Sequence, residues 1–281
     1  MKLDEPTLHL LNSSSLVGIS GGLRLYLAYT LAGEVPRLPS VLAGSLIIYS
    51  TYTFDRSLHS TEDEINRPLQ RGADSTMGFL ASAVTFIVGL TWFLSEHIIL
   101  PPLFPFLVGI VYSRGIGFGS WKIKLKGGAG VKNLVIGITW GGTIGLLVAA
   151  TGRLRAALVL GIYFATKLVI NSTIFDLRDV RGDSAAGIRT LPVCLRETEL
   201  RFLLFTIFFI QNGVLFVGMF LEILVFAPIF LCSSFLAGFS VITFYHPALE
   251  HEHSWLKRHF RILTINGEPF IQSGLRIFLP Y

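Results

Sequence analysis

Long apolar stretches alternate with polar connections along most of this 281-residue chain. Eight of these stretches approach the roughly 20 residues that a helix needs to cross the hydrocarbon core of a bilayer. They lie near residues 14–31, 38–54, 78–95, 98–113, 133–151, 154–175, 200–221 and 223–245. The pattern therefore predicts an all-α fold, a polytopic transmembrane bundle with at least eight helices.

A ninth apolar stretch lies at residues 270–280. It contains Gln272 and Arg276 and has only about half of the length that a full span needs. It predicts at most a partial or tilted helix, so we expect a bundle of eight to nine helices. The N-terminal residues lack a basic segment followed by an apolar core and a cleavage site, and we therefore expect no removable signal peptide.

The composition agrees with a membrane protein. Hydrophobic residues make up 52% of the chain and charged residues 15%, and the mean hydropathy is +0.62. A soluble globule of this size would carry more polar surface. The net charge of +5 would suggest a nucleic-acid partner in a soluble protein, but here the positions of the basic residues relative to the spans carry the information.

The basic residues are concentrated in the connections that follow even-numbered spans. Sixteen lie there: Arg56, Arg67, Arg71, Arg114, Lys122, Lys124, Lys126, Lys132, Arg178, Arg181, Arg189, Arg196, Arg201, Lys257, Arg258 and Arg261. The opposite connections hold three: Arg37, Arg153 and Arg155. Because loops rich in Lys and Arg stay on the cytoplasmic side, we expect a cell-membrane protein whose N-terminus and even-to-odd connections are cytoplasmic. This distribution excludes nucleic acid as a partner.

Two of the cytoplasmic connections begin with an acidic cluster, at Asp55 after the second span and at Asp176 after the sixth. The recurrence after four helices predicts one domain, residues 1–281, with two four-helix halves at about 14–113 and 133–245. Internal repeats in membrane proteins commonly form a binding site at their interface. We therefore expect a central cavity between the halves.

The second cluster contains Asp176, Asp179 and Asp183, whose spacing of three and four residues places the carboxylates on one helical face. Like charges this close repel one another and favour a bound cation. Mg²⁺ takes carboxylate oxygens together with water and phosphate oxygens, so it is the natural candidate. The alternative is a solvated helix end whose acids are neutralised by Arg178 and Arg181.

The first cluster places Asp55, His59 and Asp63 at four-residue intervals, again on one helical face. Facing the second cluster, Asp55 and Asp63 would be ligands for a second cation. An ordinary charged loop is the alternative interpretation.

Basic residues near the clusters are candidates for binding an anion. Pro68 ends any helix after the first cluster, which leaves Arg67 and Arg71 able to reach an anion. Residues 121–133 are rich in lysine and contain no acid. This composition indicates either anion binding, with Lys126 as a candidate, or positive-inside topology with contact to lipid headgroups.

Lys167 and Asn171 lie one turn apart inside the sixth apolar stretch. Such groups are costly in a bilayer, so they normally face the bundle interior or a wet cavity. Lys167 therefore either contacts the ligand or has a structural partner. Several aromatic residues near the cytoplasmic ends would either stabilise a carbocation or form an interfacial belt. They are Tyr52, Phe54, Tyr112 and Trp140.

The acidic clusters and their flanking residues resemble the motifs of a known family. The most specific segment is Asp176-x-x-Asp179-x-x-x-Asp183, which runs into Gly187-Ile188-Arg189-Thr190-Leu191-Pro192. Further similar segments are Asn66-Arg67-Pro68-Leu69, Tyr112-Ser113 and Lys132-Asn133. With these motifs the chain resembles the UbiA superfamily of intramembrane prenyltransferases, across about residues 15–245.

The first motif departs from the family pattern. In place of Asn-Asp-x-x-Asp-x-x-x-Asp, this chain has Thr51-Tyr52-x-x-Asp55-x-x-x-His59. We expect Asp63 to compensate one turn on. Neutral imidazole is a poor ligand for Mg²⁺, so His59 is expected to hydrogen-bond the diphosphate or a neighbouring acid and not to bind metal.

The resemblance implies transfer of an isoprenyl group from a Mg²⁺-bound isoprenyl diphosphate to a lipophilic acceptor, next to membrane lipid. A membrane terpene cyclase that acts on the diphosphate alone is the enzymatic alternative. A lipid or quinone transporter is the non-enzymatic one, against which the two carboxylate clusters argue. The expected catalytic and metal-binding set is Asp55, Asp63, Asp176, Asp179 and Asp183. The expected diphosphate contacts are Arg67, Arg71, Lys126, Lys167, Asn171 and Arg189.

The orientation predicts that Cys194, in the connection after the sixth span, faces the cytoplasm. The chain has two cysteines, so a Cys232→Ser variant leaves Cys194 as the only target. An impermeant thiol reagent should label this variant only after the cells are permeabilised, as read by mass spectrometry. Labelling of intact cells from outside would contradict the orientation.

Overall fold

The computed structural model describes residues 4–58, 61–114, 116–118, 121–123 and 128–278. Most of these residues are helical. The N-terminal part forms α1 (Glu5–Ser13), α2 (Ser15–Leu31), α3 (Leu38–Ser57), α4 (Thr61–Asn66), α5 (Ser75–Ser95) and α6 (Leu100–Arg114). The remainder forms α7 (Val131–Ala149), α8 (Leu154–Ala185), α9 (Leu191–Cys194), α10 (Glu197–Phe220), α11 (Pro228–Phe244), α12 (Trp255–Arg258), α13 (Phe260–Ile265) and α14 (Glu268–Phe278). The predicted all-α fold is confirmed.

The eight predicted spans correspond to α2, α3, α5, α6, α7, α8, α10 and α11. Four of these helices are long and apolar enough to cross a membrane, namely α5, α7, α8 and α10. Two further helices, α6 and α11, are apolar but shorter. The ninth stretch forms α14, an 11-residue helix that begins before the predicted segment.

Two short strands lie in the basic connection that the sequence predicted as a loop. They are β1 (Ile116–Phe118) and β2 (Trp121–Ile123), which pair antiparallel with Ile116 opposite Ile123. The hairpin is local to the connection between α6 and α7 and leaves the helical architecture unchanged.

Small residues bring α7 and α8 close together. Gly137, Gly141 and Gly145 recur every fourth residue on the side of α7 that faces α8. A Cβ at Gly141 would lie 2.4 Å from the backbone nitrogen of Ala165, so only glycine fits there. Small residues at this spacing allow the backbones of membrane helices to approach closely. The contact fixes the beginning of α7 beside the polar end of α8, where the second acidic cluster lies.

The first acidic cluster is positioned by close contacts of α3 with its neighbours. Ser50 on α3 donates to the backbone oxygen of Ser82 on α5 at 2.8 Å, and Ser82 donates back to Ser50 O at 2.9 Å. A Cβ at Gly89 would lie 2.9 Å from the backbone oxygen of Ala43. These contacts hold the end of α3, with Asp55, at the same end of the bundle as α4.

The C-terminal helices are joined to the bundle by buried polar contacts. Lys167 Nζ on α8 lies 2.7 Å from Glu268 Oε1 on α14, and it donates to Ser234 Oγ on α11 at 3.1 Å. Gln272 is also buried, whereas Phe270 and Ile271 are exposed. The polar face of α14 thus points into the protein, and its apolar face is available to lipid.

Because α7 and α8 are in close contact, we expect the stability of the protein to depend strongly on side-chain volume at position 141. Gly141→Ala should lower the free energy of unfolding by about 1–3 kcal/mol, because the added methyl group meets rigid backbone atoms. Gly213→Ala on α10 is the matched control, since a Cβ there would meet no atom within 4 Å. Unfolding in detergent measures both, and equal stability of the two variants would contradict the tight packing.

Candidate functional site

A cavity of about 640 Å³ opens between the helices that carry the two acidic clusters. Its walls come from α1, α2, α3, α4, α6, α7 and α8, and from α13 of the C-terminal segment. The predicted site residues that line it are Asp55, Asp63, Arg67, Asn171, Asp176, Asp179 and Asp183. The structure therefore brings both acidic clusters to one cavity.

Three predicted diphosphate contacts that the structure describes do not line this cavity. Arg71 and Arg189 are exposed, and Lys167 contacts Glu268 on α14 and Ser234 on α11. These contacts agree with the alternative that Lys167 has a structural partner and does not contact the ligand. Lys126 and His59, also singled out by the sequence, lie outside the described residues.

The second acidic cluster is organised around the ammonium group of Lys132, in the first turn of α7. Lys132 Nζ lies 2.8 Å from Asp176 Oδ1 and 3.3 Å from Asp183 Oδ2. Asn133 Nδ2 donates to the other oxygen of Asp176 at 2.7 Å. Both carboxylates are almost fully buried, so the shared cation offsets the cost of removing them from water.

The segment after α8 is tied to the same turn of α7. The backbone N–H of Leu191 donates to Asn133 Oδ1 at 3.2 Å, and that of Gly130 donates to Arg189 O at 2.8 Å. Gly187 adopts a positive φ of 70° that ends α8. The Gly-Ile-Arg-Thr-Leu-Pro segment thus acts through its backbone to hold the start of α7 against Asp176.

Asp179 has a different partner from its neighbours. Its Oδ1 lies 2.7 Å from Arg178 Nε, and both residues line the cavity. The alternative interpretation of this cluster was a solvated helix end whose acids are neutralised by Arg178 and Arg181. Arg178 does neutralise Asp179. A positively charged group thus accompanies each of the three acids. We call the surface formed by Asp176, Asp179, Asp183, Lys132 and Arg178 the mixed-charge wall.

The first acidic cluster reaches the second through α4. Asp63 Oδ1 on α4 lies 2.6 Å from Arg67 NH1, four residues later. A Cβ at Gly182 would lie 2.4 Å from Asn66 Oδ1, so the end of α4 rests directly on α8. Gly182 precedes Asp183 in the chain. The absence of a side chain at Gly182 is what allows the two clusters to meet.

The donor chemistry of this wall suits Mg²⁺. Carboxylate oxygens are the ligands that Mg²⁺ uses, and the pair formed by Asp176 and Asp183 already holds a cation, the Lys132 ammonium. Among the described residues, no three His, Cys, Asp or Glu side chains are grouped closely enough to hold a metal ion by themselves. The five-carboxylate metal set stays a prediction, and oxygens from a phosphate ligand would have to complete the coordination.

The other end of the cavity is apolar and aromatic. Tyr52 stacks on Trp140 with ring centroids 5.7 Å apart and an interplanar angle of 10°. Phe54 and Phe106 lie with their centroids 5.5 Å apart. A smaller cavity of about 60 Å³ continues from Tyr52 and Trp140 between α2, α3 and α7. The site therefore has one charged end and one end suited to a hydrocarbon chain.

Two buried arginines at this cavity have no counterpart among the predicted site residues. Arg24 on α2 is 5% exposed, and Arg261 on α13 is 2% exposed. Arg261 pairs with Glu250 at 2.9 Å and lies 4.4 Å from the centre of the Phe175 ring, and burial lowers the pKa of its guanidinium. The sequence counted Arg261 among the basic residues of the cytoplasmic connections and gave it no role in the site. The available signal for Arg24 is an arginine inside an apolar span.

The fold and the cavity define a polytopic helical membrane protein with a carboxylate-bearing internal site. A profile of the UbiA prenyltransferase family matches residues 14–263, and the chain belongs to this family. The resemblance drawn from the motifs is thereby confirmed.

Curated relatives share the name digeranylgeranylglyceryl phosphate synthase. The protein from Halobacterium salinarum is 33% identical over 141 residues, which are 50% of this chain and 48% of that one. The protein from Thermococcus kodakarensis is 30% identical over 190 residues, 64% of each chain. The matched region thus spans about half to two thirds of the length of these relatives.

Solved structures share the fold at low sequence identity. A UbiA homolog from Archaeoglobus fulgidus, bound to DMAPP and Mg²⁺, has a TM-score of 0.59 at 12% identity and covers 95% of this chain and 98% of that one. A structure of digeranylgeranylglyceryl phosphate synthase in membranes has a TM-score of 0.53 at 18% identity and covers 95% and 92%.

Because Asp176 and Asp183 share the Lys132 ammonium, removing Lys132 should leave two buried acids without a compensating positive charge. Lys132→Met should lower the free energy of unfolding by about 3–5 kcal/mol, as is typical when one partner of a buried pair is removed. Adding Asp183→Asn should recover part of this loss, and Mg²⁺ should raise the melting temperature of Lys132→Met more than that of the wild type.

The control for this prediction is Lys257→Met, which removes an exposed lysine that lies 3.7 Å from Glu252. It should change stability by less than about 1 kcal/mol. Thermal unfolding of all four proteins in detergent, with and without Mg²⁺, gives the comparison. Equal losses in the two lysine variants would contradict the role assigned to Lys132.

Proposed function

We propose that the protein is an integral-membrane prenyltransferase that transfers an isoprenyl group from a Mg²⁺-bound isoprenyl diphosphate to a lipophilic acceptor. The observation that carries this proposal is a single cavity with a mixed-charge wall at one end and stacked aromatic rings at the other. Such a cavity matches a molecule with a diphosphate head and a hydrocarbon tail. We place the charged end on the cytoplasmic side of the cell membrane, from the distribution of Lys and Arg.

The charged end would hold the diphosphate. Bound Mg²⁺ would supply a Lewis acid that neutralises charge on the leaving group. The carboxylates of both clusters are its proposed ligands, and Arg67, Lys132 and Arg178 line the same wall. Asn171 also lines the cavity, and its Nδ2 is buried without a hydrogen-bond partner. These groups would bind phosphate oxygens and stabilise the charge that develops as the diphosphate leaves.

The aromatic end would protect the reacting carbon. The bond between the allylic carbon and the diphosphate oxygen breaks, and the diphosphate keeps the electron pair. The ring faces of Tyr52 and Trp140 are positioned to stabilise the allylic cation. An acceptor hydroxyl then forms the new carbon–oxygen bond and gives its proton to the departing diphosphate. The apolar walls keep out water that would capture the cation instead.

The names of the relatives favour an acceptor of the prenylglyceryl phosphate type. Digeranylgeranylglyceryl phosphate, the product after which they are named, carries two isoprenyl groups and one phosphate on glycerol. We therefore propose a phosphorylated prenylglycerol as the acceptor of this chain. The same names favour transfer over the cyclase alternative, and the wall of carboxylates argues against a passive lipid passage.

We also propose that residues of about 14–113 and 133–245 are two related halves of one domain. The support is that α3 and α8 each end in an acidic cluster and that both clusters line the cavity. A site between two related halves is common in membrane proteins.

The proposed function predicts that loss of one carboxylate in the second cluster disables turnover. Asp179→Asn and Asp183→Asn should each lower the transfer rate at least about a hundredfold, since each weakens stabilisation of the leaving diphosphate. Chelation of divalent ions should abolish transfer, and Mg²⁺ should restore it. The assay follows radiolabelled geranylgeranyl diphosphate into the prenylglyceryl phosphate product, with purified protein in lipid.

Glu222→Gln is the matched control, since Glu222 is an exposed acid in the short connection between α10 and α11, far along the chain from both clusters. It should retain the wild-type rate. Near-normal transfer by both aspartate variants, in folded protein, would overturn the proposed role of the cluster.

A further inference from the structure

Arg24 is a buried cation with incomplete hydrogen bonding. It is 5% exposed in the middle of α2. NH1 donates to Ser20 Oγ at 2.7 Å, and NH2 donates to the backbone oxygen of Ile265 at 2.9 Å. Its Nε is buried and has no hydrogen-bond partner. Both recorded acceptors are neutral oxygens, so neither bond neutralises the charge of the guanidinium.

A guanidinium in this position is costly unless an anion joins it. Charged groups inside membrane helices are rare, and they normally face a cavity and mark a binding site or an ion pathway. Glu268 attracts the Arg24 guanidinium electrostatically, but its carboxylate is paired with Lys167 at 2.7 Å, so one acid serves two buried cations. A structural role as a cap for the end of α13 accounts for one donor of Arg24, the one directed to Ile265 O. It does not account for the Nε donor, or for the excess positive charge of Arg24 and Lys167 beside one carboxylate.

Arg24 lies at the aromatic end of the site, away from the carboxylate wall. It lines both the large cavity and the small apolar one, as do Tyr52, Trp140 and Leu168. Asn266 follows Ile265 in the chain, is 6% exposed and lines the large cavity as well. A forked cation and an amide thus face the cavity together, and guanidinium groups bind phosphate oxygens with matching geometry.

We propose that Arg24, with Asn266 beside it, forms a second anion subsite that binds the phosphate of the acceptor. This inference rests on the proposed function, in which two substrates with anionic head groups share one cavity. The carboxylate wall takes the donor diphosphate through a divalent cation, whereas the Arg24 subsite is basic. An acceptor phosphate held at Arg24 would place the acceptor hydroxyl near Tyr52 and Trp140, where the allylic carbon is expected.

The test compares two acceptors that differ only in the phosphate, geranylgeranylglyceryl phosphate and geranylgeranylglycerol, with geranylgeranyl diphosphate as donor. The key variant is Arg24→Gln, whose amide can still donate to Ile265 O but carries no charge. Arg153→Gln is the matched control, because Arg153 is exposed and pairs with Glu34 at 2.7 Å. The measurements are KM for each substrate and the shift in melting temperature that each acceptor causes without donor.

The expected result is that Arg24→Gln raises KM for the phosphorylated acceptor at least about tenfold, as loss of one charge-assisted contact would. KM for the donor should stay within about twofold, and the advantage of the phosphorylated acceptor over the alcohol should disappear. Arg24→Lys should recover part of the affinity, since it keeps the charge but not the fork. Arg153→Gln should behave as the wild type.

Three results would overturn the subsite: an unchanged KM for the phosphorylated acceptor, an equal rise for both acceptors, or a rise confined to the donor. The melting shift separates this inference from the proposed function. If the wild type transfers to neither acceptor, yet geranylgeranylglyceryl phosphate raises its melting temperature and not that of Arg24→Gln, the subsite stands and the proposed reaction fails. If the wild type transfers equally well to both acceptors, the reaction stands and the subsite fails.

Discussion

The site depends on keeping buried carboxylates beside a cation. Asp176 and Asp183 are nearly free of solvent, and the ammonium of Lys132 is shared between them. Removing such a partner leaves buried acids without a compensating charge, which typically costs about 3–5 kcal/mol. The glycines of α7 allow the close approach to α8 that places Lys132 there. Gly182 then allows α4 to rest on α8, which brings the first cluster to the same wall.

The arrangement gives the cavity two chemically different ends. Charge is gathered where α4, α7 and α8 meet, while Tyr52 and Trp140 stack deeper in the bundle. The cavity can therefore hold a charged head group at one end and a hydrocarbon chain at the other. The C-terminal segment lines this space with Arg261, which contacts Phe175, and the pair of Lys167 with Glu268 joins α14 to α8. Contacts between residues far apart in sequence thus hold the last helices to the rest of the bundle.

Sequence patterns predicted the spans and the meeting of the two acidic clusters at one cavity, but they missed the ion pairs between distant residues. The spans were predictable because a membrane helix requires a continuous apolar stretch, and the face shared by Asp176, Asp179 and Asp183 follows from helical spacing. The partners of Asp176, Asp183 and Lys167 were not predictable, because they come from distant parts of the chain. Lys132 appeared in the basic connection and in the family-like Lys132-Asn133 pair, without its acidic partners. For Lys167 a ligand contact and a structural partner stayed open, since nothing local indicates Glu268 101 residues later. The burial of Arg261 against Phe175 was missed for the same reason.

We infer that the mixed-charge wall binds a diphosphate through a divalent cation. The most direct measurement is equilibrium binding of an unreactive thiolo analogue of geranylgeranyl diphosphate to the purified protein, with Mg²⁺ and with a chelator. Mg²⁺ is expected to raise the affinity at least about tenfold, because the acids would otherwise repel the ligand. Equal affinity with Mg²⁺ and with the chelator would contradict this inference.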